Sequence, residues 1–253
     1  FFSNEVAKEI AGKYQKFDVA IARHMFAHNE DPAEHIAQIA INNGINTIID
    51  FFSNEVAKEI AGKYQKFDVA IARHMFAHNE DPADLLAAMS LILSDDGVFV
   101  IENAYALDTF KNGEFDQIYH EHMFYFSALN ISALMKKFDF ELLDFTHSPV
   151  HGGSGVFICG KQGKHLPNKS VQEAFDKEMS AFEQQKIFHG FKSKIETNKR
   201  KAMQLIQDEI KLGRILGAYG APAKAFTVFS YYELDDSSIS FCIDCLLYTS
   251  DAA

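Results

Sequence analysis

The sequence predicts an α/β protein whose sheet is mainly parallel, covered by helices on both faces, and closed by an antiparallel pair. Three observations carry this. Phe67-Asp68-Val69-Ala70-Ile71-Ala72 and Val98-Phe99-Val100-Ile101 are short and nearly all apolar, as strands buried on both faces are. Between them lies a helix start, with Asp81 as N-cap and Pro82 at the first helical position. Further on, strands over 140–146 and 155–160 are joined by His151-Gly152-Gly153-Ser154, which leaves no room for a helix and predicts antiparallel pairing.

Taken in order, residues 34–42 read as a helix, and Gly44-Ile45-Asn46-Thr47-Ile48-Ile49-Asp50 as a buried strand entered from a glycine turn. Ser53 is placed to cap the next helix, whose first turn carries Glu55, where an acid suits the helix dipole. Val56, Ile60 and Tyr64 form its core-facing stripe. The helix opened by Pro82 runs through Leu93, and Asp95-Asp96-Gly97 turns the chain into the following strand. A further helix is expected over 131–138. Residues 170–211 read as helical and charged, with Val171, Phe175, Phe182, Phe188, Phe191, Ile195 and Met203 packing on a neighbouring part of the protein. The run 214–224 reads as strand, glycine turn and helix start. There, glycines let backbone N–H groups approach a phosphate, and Lys224 adds charge.

With 253 residues and 47% hydrophobic content, the chain can bury one large or two small cores. A net charge of −11 speaks against a nucleic-acid partner, which needs a basic face. No apolar run approaches the roughly 20 residues that span a bilayer, and no signal peptide is visible. Cys159, Cys242 and Cys245 form no disulfide framework, so a reducing cytoplasm is expected, and the lone Cys242-Ile-Asp-Cys245 reads as coincidence.

The densest chemistry lies in Tyr119-His120-Glu121-His122-Met123-Phe124-Tyr125-Phe126-Ser127. In an extended segment side chains two apart share a face, so Tyr119 with Glu121, or His120 with His122, can converge. Histidine titrates nearest neutral pH, and a carboxylate beside it favours its protonated form. One reading is a general base in an aromatic-walled pocket. A second is a polar loop whose histidines cap backbone groups. A third is a metal-dependent isomerase or hydrolase using His120 and His122, with Glu121, His147 and His151 as further candidate ligands.

Residues 1–33 recur without change at 51–83, after which Glu34-His35-Ile36 replaces Asp84-Leu85-Leu86. Natural arrays drift in sequence, so one perfect copy reads as a misjoined duplicate. Residues 245–253 look like translated sequencing adapter. Both segments are set aside in assigning function.

Phe115-Asp116-Gln117-Ile118-Tyr119-His120-Glu121-His122, then His151-Gly152-Gly153-Ser154, then Tyr219-Gly220-Ala221-Pro222-Ala223-Lys224 resemble the sugar C-methyltransferase family, which acts on nucleotide-linked 4-keto-deoxyhexoses. Ala72-Arg73-His74-Met75-Phe76-Ala77-His78, at a strand's carboxyl end, adds a fourth match. The resemblance covers residues 34–244 and implies an incomplete class I methyltransferase Rossmann-like sheet over 34–163. A helical linker over 164–210 and the start of a second Rossmann-like domain over 211–244 would follow.

It also implies S-adenosyl-L-methionine as cofactor, a nucleotide-linked sugar as substrate, and zinc in an N-terminal domain. By the same resemblance His122 is the base that removes the proton α to the sugar ketone. Tyr119 and Glu121 orient it or stabilise the enolate, and His78 lines the same cavity. Asp50 and Phe51 would meet the adenine, with Ala72 and Arg73 beside the cofactor and Asp31, or its neighbour Glu30, where the family has its ribose-binding acid. Glu102, Tyr105, Tyr219 and Lys224 are the expected substrate contacts.

The chain departs from the family's pattern in several places. A first strand with its glycine-rich loop and the four zinc cysteines are absent from the sequence. Gly155-Val156-Phe157 stands where an arginine is usual, and Ala225-Phe226 where a glycine and a polar residue are common. The expectation is weak cofactor binding by this chain, and a catalytically inactive sugar-nucleotide binder is the remaining alternative.

Overall fold

A five-stranded mixed sheet organises the first two thirds of the chain in the computed structural model, which describes residues 19–21, 38, 40–44, 46–183 and 185–244. Its strands are β1 (Val19–Ile21), β2 (Phe67–Arg73), β3 (Leu93–Ala104), β4 (Phe140–Ser148) and β5 (Ser154–Lys161), in spatial order β1-β2-β3-β5-β4. β1, β2 and β3 run parallel, and β5 is antiparallel to both β3 and β4. The expected hairpin is therefore present, and this layout is that of the class I methyltransferases.

The helices between the strands begin where the capping residues place them. Ser53 accepts from the Val56 N–H at the start of α1 (Asn54–Lys63), and Asp81 accepts from Ala83 and Asp84 at the start of α2 (Pro82–Ile92). α3 (Ala106–Asn112) follows β3. α4 (Ala128–Lys136) starts three residues before the expected Ile131, because Ser127 and Asn130 close a reciprocal capping box.

Two other expectations are corrected. Residues 46–49 form no strand; Ile48 and Ile49 are 43% and 44% exposed, and Ile45 lies outside the described residues. An apolar run becomes a strand only where a sheet edge accepts its hydrogen bonds. The edge of β2 is already taken by β1, an identical sequence paired in register, Val19 with Val69 and Ile21 with Ile71. Of the helix expected at 34–42, residues 38 and 40–42 are helical and the rest lies outside the described residues. Second, Asp95-Asp96-Gly97 is no turn. Phe67 pairs with Leu93 while Val69 pairs with Val98, so these residues bulge out of a continuous β3. Lys161 holds the bulge through the Leu93 carbonyl and Asp95. At Gly97 a Cβ would lie 2.9 Å from the Phe67 carbonyl oxygen.

One sheet face buries Phe76, Phe99, Ile101, Ile131 and Phe157, and the other buries Val69, Val98, Val100, Val156 and Ile158. The charged stretch after β5 is two helices, α5 (Lys169–Phe182) and α6 (Lys186–Lys211), broken at Gln185 in a left-handed conformation. α6 packs on α3, with Phe110 ringed by Phe188 and Phe191 at 5.0 and 5.4 Å. A parallel pair, β6 (Gly217–Tyr219) and β7 (Phe241–Ile243), flanks α7 (Ala223–Tyr232), which matches the expected strand, glycine turn and helix. α7 stacks Tyr231 and Tyr232 on Phe115 at 4.9 and 5.5 Å. The histidine-bearing loop thus sits between the sheet and α7.

Candidate active site

The loop from Ile118 to Phe126 leaves a 3-10 turn (Phe115–Gln117) and enters α4. It is not the extended segment expected. The His122 N–H bonds the Tyr119 carbonyl at 3.0 Å, closing a turn that brings Tyr119 to His122 instead of Glu121. The Tyr119 hydroxyl lies 2.9 Å from His122 Nε2, and His122 Nδ1 lies 2.8 Å from the Gln117 carbonyl oxygen. A carbonyl only accepts, so in the neutral imidazole Nδ1 carries the hydrogen and Nε2 accepts from Tyr119. Burial pushes the Tyr119 phenol up to about 12, which keeps it a donor at neutral pH.

A second imidazole closes the cluster. His78, buried at the end of a 3-10 turn (Phe76–His78), has its ring centroid 4.7 Å from that of His122 and 6.5 Å from that of Tyr119. Its Nδ1 is 4.0 Å from Glu121 Oε2, a loose charge contact on a carboxylate 46% exposed. The Met123 N–H bonds the Ala77 carbonyl at 3.0 Å and ties the loop to this turn. His120 faces solvent and lines, with Ile118, Tyr119, Lys199, Phe226 and Tyr231, a cleft of about 580 Å³ between the loop and α7. Tyr119 thus belongs both to the histidine cluster and to an open cleft.

The other expected residues are engaged elsewhere. Glu102 is buried and pairs with Arg73 Nε at 2.8 Å. Tyr105 is wholly buried, and its hydroxyl donates to Glu178. Ala72 is core, Tyr219 is exposed at the edge of β6, and Lys224 is half-buried at the start of α7. Asp31 lies outside the described residues. His120 and His122 find no third metal ligand, since no group of three His, Cys, Asp or Glu side chains able to hold a metal occurs among the described residues.

The residues expected to meet S-adenosyl-L-methionine are open or already paired among the described residues. Asp50 spends a carboxylate oxygen on the Phe51 N–H at 2.7 Å, and the Phe51 ring is 58% exposed instead of forming one wall of an adenine slot. Arg73 is neutralised by Glu102.

Two groups were missed from sequence. The Gln117 carbonyl has no side-chain signature, although the last carbonyls of a helical turn are free to accept. Tyr125 donates to that same carbonyl at 3.3 Å, an alliance that only the folded loop creates.

Residues 35–144 match the family model of a methyltransferase domain, and residues 149–251 that of the C-methyltransferase C-terminal domain. In order, then, the chain is similar to a methyltransferase domain followed by a C-methyltransferase C-terminal domain. It is 31% identical over 158 residues to the C-methyltransferase NovU of Streptomyces niveus, covering 62% of this chain and 38% of that protein. The chain thus spans well under half the length of the curated relative it matches. Among solved structures it is similar to TehB from Haemophilus influenzae, at 12% identity and a TM-score of 0.41 over 63% of each chain. It is also similar to a SAM-dependent methyltransferase from Thermotoga maritima, at 18% identity and a TM-score of 0.37 over 52% of this chain and 70% of that one. No helix among the described residues is long and apolar enough to cross a membrane.

Proposed function

We propose that this chain is part of a C-methyltransferase that uses His122 to remove the proton α to the ketone of a nucleotide-linked deoxysugar, with S-adenosyl-L-methionine as methyl donor of the complete protein. The observation that carries the reading is the ordered series Gln117 carbonyl, His122, Tyr119. It holds a neutral imidazole with a defined lone pair on Nε2, which is what a general base requires.

In this reading a sugar entering from the cleft takes the Tyr119 hydroxyl away from Nε2 and onto its ketone oxygen. The C–H electron pair then becomes the enolate, its proton goes to Nε2, and the phenol donates to the oxygen where charge develops. The new imidazolium keeps its Nδ1–H on the Gln117 carbonyl. Glu121 Oε2, 4.0 Å from His78 Nδ1, adds a negative charge to the same cluster. The cofactor would supply the electrophilic methyl group for the enolate carbon in the complete protein.

The similarity to NovU supports a C-methyl acceptor, and the motif resemblance supports a sugar. The test is α-deuterium exchange in the full-length protein, using a nucleotide-linked 4-keto-deoxyhexose labelled at the α carbon. His122→Gln is expected to slow exchange by about 10²–10⁴-fold. Exchange at the wild-type rate would refute the assignment.

A further inference from the structure

We infer that Tyr125 is a positioning residue for His122, acting through the Gln117 carbonyl; this rests on His122 being the base. The Gln117 carbonyl oxygen accepts twice, from His122 Nδ1 at 2.8 Å and from the Tyr125 hydroxyl at 3.3 Å. Gln117 is 4% exposed, so water has little access to compete for that oxygen. It ends a single 3-10 turn, the least regular kind of helix, and such a turn by itself defines the direction of its last carbonyl poorly. A second donor on the same oxygen removes that freedom.

Tyr125 is itself held from the far side. Asn130 Nδ2 donates to the Tyr125 carbonyl at 2.8 Å, and Asn130 Oδ1 accepts the Ser127 N–H at 2.7 Å within the capping box of α4. The ring stands edge-on to His122 with centroids 6.4 Å apart. Burial raises the Tyr125 phenol above its ordinary value, so the hydroxyl keeps its hydrogen through the neutral range. A continuous series therefore runs from the α4 cap through Tyr125 and the Gln117 carbonyl to Nδ1, and across the imidazole to the Tyr119 hydroxyl. Tyr125 touches no reacting atom in this scheme. It sets which ring nitrogen carries the hydrogen and where the free lone pair points.

The test is ¹⁵N NMR of the full chain labelled at histidine, with the His122 signals assigned by their loss in His122→Gln. In the wild type His122 is expected as one tautomer, hydrogen on Nδ1. In Tyr125→Phe its two nitrogen shifts are expected to move toward each other as the second tautomer becomes populated. The α-deuterium exchange rate of the full-length protein should fall by up to about tenfold, the worth of one neutral hydrogen bond. KM for the sugar is expected to stay the same, since the lost hydroxyl faces a backbone carbonyl. An unchanged tautomer in Tyr125→Phe overturns the inference, whatever exchange does. The catalytic reading stands or falls separately on exchange in His122→Gln.

Discussion

Glu178, on α5, accepts the Tyr105 hydroxyl hydrogen at 2.7 Å in a site closed to solvent. The same carboxylate takes the Ala128 and Leu129 N–H groups at 2.6 and 2.8 Å, so an anion sits on the amino end of α4. Tyr105 follows β3 and bridges to Phe126, and α4 begins where the histidine loop ends. One buried carboxylate thus joins the helical linker to both sides of the loop that carries His122.

Glu178→Gln keeps the volume but cannot accept three donors as well as a carboxylate does. At least one buried N–H then loses its partner, which costs about 1–3 kcal/mol. Urea unfolding should show a fall of this size, and Tyr105→Phe a smaller one. In the double variant the two losses should not add, because they share one bond.

Tyr119 predicts an alkaline limb of stability. Burial, the chief cause, holds its folded phenol up to about 12, above the ordinary tyrosine range. A group whose folded pKa is raised contributes stability that is fully present below the unfolded value and lost as pH rises through the folded one. Stability should therefore fall between about pH 10 and 12. Tyr119→Phe should flatten that fall, as read by unfolding midpoints across the range.

Gly153 has φ +134°, and a Cβ there would run into the Asp108 carboxylate, which is in hydrogen-bond contact with His147 Nε2. Gly153→Ala should cost upwards of about 1 kcal/mol through backbone strain. It should also disturb β3, since the Tyr105 N–H bonds the Gly153 carbonyl. Amide hydrogen exchange at Tyr105 would report this. Protection equal to the wild type would contradict it.

Cofactor affinity should differ between this chain and its full-length counterpart. With Phe51 exposed and Arg73 paired to Glu102, isothermal calorimetry is expected to show weak S-adenosyl-L-methionine binding to residues 1–253. The full-length protein should bind tightly. Equal affinity would show that the described residues already make the pocket.

What could be read from the sequence was local. β2 and β3 follow from continuous apolar runs, α1 and α2 from Ser53 and Asp81, and the β4–β5 hairpin from a connection too short for a helix. The strand expected at 44–50 fails because strand formation is a property of two partners. An apolar run cannot report that its edge position belongs to another segment.

The residue types of the site, two imidazoles, a phenol and a carboxylate beside aromatic residues, were determined by the sequence itself. That His78, in the motif at the end of β2, shares the cavity was only implied by the family resemblance. Which of them meet was decided by tertiary structure. A turn sets Tyr119 on His122, a backbone carbonyl selects the tautomer, and Glu178, fifty residues beyond Ala128, secures the loop's exit. The physical reason is that hydrogen-bond direction depends on backbone carbonyls and distant side chains, which spacing along a chain does not encode.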